Sequence, residues 1–131
     1  MILKVYQMEE RSKLIKSILP KIEIETSTSL TIEYFQSETL RPILKFQNEI
    51  ILVTFESFCL DNKFDVQKLT SDLKLTKIVK ILKTSNQLKQ LYLGMIIGFF
   101  TSDEIIFYTK NKKDINKRII ALLIERIYSQ V

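Results

Sequence analysis

Glu23 and Glu25 stand two residues apart, a spacing that puts both carboxylates on one face of a strand. Asp103 and Glu104 form a second acidic pair at a predicted loop-to-strand junction, and Cys59 is the lone thiol. Paired carboxylates can divide general-acid and general-base work only where their surroundings separate their pKa values beside a substrate pocket. Nothing in the flanking residues supplies that, so Glu23 and Glu25 read as a solvated strand face. The chain has no histidine. Ser-His and Cys-His nucleophile pairs are thereby excluded, together with the commonest metal ligand. Cys59 falls on the apolar side of a predicted helix and reads as a small core residue. Gly94 and Gly98 are the two glycines, and neither opens a phosphate-cradling loop. These residues imply a protein that is not an enzyme, with no cofactor and no metal.

The elements around them must be arranged by 131 residues, 46% hydrophobic and 27% charged, enough for one domain over 1–131 with one core. One cysteine allows no internal disulfide. The longest uncharged apolar stretch, Leu91 to Phe100, is too short to span a bilayer, so no membrane segment and a cytoplasmic location are expected. Charge is uneven. Residues 1–62 carry seven Lys/Arg against nine Asp/Glu, a net of −2, and residues 63–131 carry 13 against six, a net of +7. Such asymmetry suits a face that meets a polyanion.

Apolar and polar residues alternate over Ile2–Gln7, predicting a first strand, and Glu9-Glu10 open a helix with the stripe Leu14, Ile15, Ile18 and Leu19 that Pro20 stops. Period two over Ile22–Glu25 and Leu30–Tyr34 predicts two more strands around the turn Ser27-Thr28-Ser29. Ile51, Leu52, Phe55, Phe58 and Cys59 share one helical face. Leu75, Ile78, Val79 and Leu82 do the same over 71–83, with Lys74, Lys77, Lys80 and Lys83 stepping around the opposite half. Thr84-Ser85-Asn86 can end that helix and cap the next, whose stripe is Leu88, Leu91, Tyr92 and Met95. Glu104–Thr109 reads as a strand. A last helix over 114–128 carries six apolar residues from Ile119 to Ile127, a face wide enough to be central to the core or partly turned to a partner. The fold class expected is α/β, a small mixed sheet covered by several helices.

The basic surface comprises Lys74, Lys77, Lys80 and Lys83, Lys89 on the next helix, and Lys110, Lys112 and Lys113 with Lys117 and Arg118. Lysine is a point charge suited to phosphate, so backbone or structured-RNA binding is the expected mode, with Tyr92, Phe99, Phe100 and Tyr108 as candidate stacking rings.

The order of features resembles the small regulatory subunit of the KEOPS tRNA-modification complex, the PRPK-binding-protein family. The likeness lies in the opening strand Ile2–Tyr6 and its helix, the pattern Ile51-Leu-Val-Thr-Phe-Glu56-Ser-Phe-Cys59, a helix like Leu73 to Leu82, and the turn Lys83-Thr-Ser-Asn-Gln87-Leu88. An apolar helix, a loop near Gly98 and a strand like Glu104 to Tyr108 follow. In that turn Gln87 and Leu88 match the family, while Thr84 stands where it has Gly and Asn86 where it has Arg. The resemblance implies a noncatalytic subunit that binds the small atypical kinase of the complex and the single-stranded 3′ CCA end of tRNA, in support of threonylcarbamoylation. On that reading Lys77, Lys80, Lys83 and Lys89 take phosphates, Asn86 and Gln87 sit at the tRNA-end turn, and Leu88, Leu91, Tyr92 and Met95 face the kinase. The alternative is a viral or cellular protein–protein adaptor without nucleic-acid binding, a homodimer through residues 115–127.

Overall fold

The computed structural model describes residues 8–19 and 31–131. The strands expected at 2–7 and 22–25, the turn at 27–29 and the Glu23/Glu25 pair lie outside those residues. Among the described residues every regular element is helical, which overturns the expected α/β sheet. The helices are α1 (Glu9–Ile18), α2 (Ile32–Phe35), α3 (Arg41–Phe46), α4 (Asn48–Asp61), α5 (Ser71–Thr84), α6 (Asn86–Ile97), α7 (Ser102–Lys110) and α8 (Lys112–Tyr128). A π-helical turn, Gln36–Leu40, joins α2 to α3, and a 3₁₀ turn, Val66–Lys68, precedes α5.

Two predicted strands are helices for local reasons. Thr31 caps α2 by accepting from Tyr34 N at 3.1 Å, and Phe35 is then buried against Phe100 and Phe107. Period two over Leu30–Tyr34 was too short a run to distinguish the two structures. At 104–109 the β-branched and aromatic residues favour a strand by propensity. Thr101 and Glu104 override them with a reciprocal capping box: Glu104 N donates to Thr101 Oγ1 at 3.4 Å and Thr101 N to Glu104 Oε1 at 2.8 Å. Helical spacing then turns Glu104 and Tyr108 inward together.

Other expectations held. Helices appear at Glu9–Ile18, across Ile51–Cys59, over Ser71–Thr84, and at the C-terminus. Thr70 and Ser85 cap α5 and α6 by accepting from Leu73 N and Leu88 N. Pro42, which donates no backbone hydrogen bond, sits in the first turn of α3, just after the π turn has set Arg41 N on Gln36 O.

Helix α8 is the core element. Ile115, Ile119, Leu122, Leu123 and Ile127 are buried, and α8 packs on α4, α5, α6, α7 and the π turn. The wide apolar face read from sequence is therefore directed mainly into the chain's own core. On its flank, Arg118 donates to Gln36 Oε1 and Glu33 Oε1, each at 3.1 Å. Backbone N–H donation at the start of α2, with that guanidinium, holds the Glu33 carboxyl below its usual range. No described helix is long and apolar enough to cross a membrane.

Candidate binding surfaces

Helices α5, α6 and α8 enclose an open groove of about 650 Å³. Lys83 comes from the last turn of α5, Lys89 from the second turn of α6, and Lys113 and Lys117 from the first two turns of α8. No aspartate or glutamate lines it, and no carboxylate of the described residues is within ion-pairing distance of these four ammonium groups. The Lys89 Nζ donates to the Lys83 carbonyl at 3.3 Å, so the end of α5 holds that side chain in place. Below the rim the lining is aliphatic, with Val79, Leu82, Leu93, Ile120, Ala121 and Ile124 and no aromatic ring.

A second groove, about 740 Å³, runs between α4 and α6. Its register is fixed by two buried or half-buried bonds: Tyr92 Oη donates to Ile51 O at 2.8 Å and Gln47 Nε2 to Met95 O at 3.1 Å. Along this seam large apolar side chains stand in solvent, Val53 at 62% and Leu91 at 51% exposure, with Phe46 and Ile50 at the α3–α4 end. Helix α4 supplies only acidic charge, Glu49, Glu56 and Asp61. A run of exposed apolar residues on adjoining helices is the ordinary signature of a protein contact.

The residues predicted to bind tRNA are not gathered in one place. Lys83 and Lys89 share the first groove, and Gln87 lines the second. Asn86 is exposed at the start of α6. Lys77 places its Nζ 4.6 Å from the Phe64 ring centroid, a cation–π contact, and Lys80 is exposed elsewhere on α5. Of the residues predicted to face the kinase, Leu88 and Tyr92 are core and unavailable, Met95 is half-buried, and Leu91 is exposed. The suggested stacking rings are corrected likewise: Tyr92, Phe100 and Tyr108 are buried, and Phe99 packs edge-on against Phe46. Sequence reasoning missed the grouping of Lys113 and Lys117 with Lys83 and Lys89. Its signal was readable, because 113, 117, 120 and 124 share one helical face.

Among the described residues, the acidic pair Asp103/Glu104 is split and the one thiol is buried. Glu104 is buried, with Thr101 and Thr39 on its two oxygens, and Asp103 beside it is exposed. Burial pushes the Cys59 thiol up to about 11, against the opposing pull of Lys77. Burial also raises the Tyr92 and Tyr108 hydroxyls. Among the described residues no group of three His, Cys, Asp or Glu is placed to hold a metal. No family model matches the chain, and neither a curated protein nor a solved structure does.

Proposed function

We propose that this protein is a noncatalytic adaptor that acts by holding another protein on its surface. The observation that carries this reading is the α4–α6 seam, where Val53 and Leu91 flank one groove and remain exposed. A photo-crosslinker placed at Val53 or at Leu91 should capture one discrete partner in the native cell, and Val53→Asp with Leu91→Asp should abolish capture without changing the fold. Absence of any discrete product from both positions would sink the reading.

A second reading has its own observation in the four lysines of the first groove, whose lining holds no carboxylate. Lysine clusters bind phosphate backbones as point charges. This is the RNA-binding accessory role that the KEOPS resemblance implies, with the small kinase and the tRNA 3′ CCA end as partners. It stands second because the strand the resemblance needs over 104–108 is helical and the candidate tRNA residues are dispersed. A gel shift with tRNA carrying or lacking its CCA end tests it, and equal mobility of both complexes argues against it.

A further inference from the structure

Going beyond the α4–α6 seam that carries the adaptor reading, we infer that the separate groove between α5, α6 and α8 receives an acidic amphipathic helix of a protein partner. The groove has two chemistries in sequence along one helix face. Lys113 and Lys117 occupy the first two turns of α8, and Ile120, Ala121 and Ile124 continue the same stripe. From residue 113 to 124 the stripe runs about 16 Å, three helical turns. A ligand must therefore offer anionic groups beside an apolar ridge of similar length.

An amphipathic helix with Leu at i, i+4 and i+7 and Glu on its flanks meets that description. Nucleic acid meets half of it. Phosphates would find the lysines, but the floor presents Val79, Ile120 and Ile124 with no ring on which a base could stack.

The start of α8 lies at the basic end of the groove. Asn111 is its N-cap residue, yet the Asn111 side chain donates to Phe107 O at 3.0 Å, and no side chain caps the helix. The first two helical residues are Lys112 and Lys113, cations at the positive end of the dipole. Asp114 supplies one carboxylate in the same turn, so the two lysines leave that end of α8 with a net positive charge. Lys89, which donates to the Lys83 carbonyl, adds a fourth charge to the groove.

The test uses the full chain and a 14-residue helical peptide carrying a leucine stripe with glutamates beside it. Its comparators are the peptide's scrambled isomer of equal charge, tRNA, and vesicles containing phosphatidylserine. Fluorescence anisotropy should show saturable peptide binding at least tenfold tighter than the scrambled isomer and weakened tenfold or more by Lys83→Glu with Lys117→Glu. Ala121 is exposed in the floor, so Ala121→Trp should fill the groove and weaken binding similarly at unchanged melting temperature. Lys89→Gln supplies a gentler variant should either of the others fail to fold. Equal affinity for the scrambled isomer, indifference to Ala121→Trp, no peptide binding, or tighter binding of tRNA or vesicles would each overturn the inference. Retained crosslinking at Val53 and Leu91 in those cases would leave the adaptor reading standing, whereas its loss there too would remove both.

Discussion

The Thr39 hydroxyl donates to Glu104 Oε2 at 2.9 Å inside the core, joining the π-helical turn to the first turn of α7. The other oxygen of Glu104 accepts from Thr101 N, so one buried carboxylate serves two elements 65 residues apart in sequence. This is structural work by a residue whose sequence neighbour Asp103 made it look like a candidate acid.

Replacing it should therefore unfold the protein rather than silence an activity. Glu104→Ala removes the capping box and strands a buried hydroxyl, and should cost about 2–4 kcal/mol. Glu104→Gln keeps one acceptor and the side-chain volume, and should lose roughly half as much. Urea unfolding followed by helical circular dichroism measures both, and a Glu104→Ala midpoint equal to wild type would refute the role.

Alkaline pH should destabilise the fold through its buried neutral acids. Burial raises the Cys59 thiol from 9.0 to about 11, and the Tyr92 and Tyr108 hydroxyls are raised as well. A group with a raised folded pKa stabilises fully below its unfolded pKa and loses that contribution as pH climbs through the folded value. The Cys59 contribution is thus intact below pH 9 and disappears by about pH 11. Melting temperatures should fall across that interval, and Cys59→Ala should flatten the decline. Native Cys59 should also resist iodoacetamide at pH 8 until denaturant is added.

Helix α1 is held by its polar side. Arg11 donates to the carbonyls of Phe100 and Gly98, just beyond α6, and Ser102 N donates to the Ser12 hydroxyl at 3.0 Å. Ten residues make a marginal helix alone. Arg11→Ala should lower hydrogen-exchange protection in α1 roughly tenfold, as expected for about 1–2 kcal/mol, and leave α8 unchanged. Equal loss in both helices would show that α1 unfolds only with the whole core.

What the residues disclosed follows from the length of each pattern. Over Ser71–Thr84 the stripe Leu75, Ile78, Val79 and Leu82 runs for about two turns, and period specifies the helix. Leu30–Tyr34 offers five residues, too few to separate a period of 2 from 3.6. Glu104–Thr109 carries strand-forming residues, and the outcome is set by Thr101 three positions upstream, a capping signal that was present in the sequence and outweighed by propensity. For the binding surfaces, sequence found the lysines but not their grouping. Lys77 and Lys83 lie on one helix, yet one covers Phe64 and the other rims a groove completed by α6 and α8, a distinction set by tertiary packing.

Lys113 offers a test in which stability and binding move in opposite directions. It stands at the second residue of α8, where the dipole favours an anion, so Lys113→Glu should stabilise the free protein by about 0.3–1 kcal/mol. The same change places a carboxylate in a groove that otherwise has none, and should repel an acidic helix at least tenfold. Lys112→Glu, one residue earlier and absent from the groove lining, should give the first effect with much less of the second. Thermal melts and peptide titrations on the two variants separate the dipole contribution from the groove contribution. If both variants bind peptide as wild type does, the lysines at the start of α8 are ordinary solvent-facing charges.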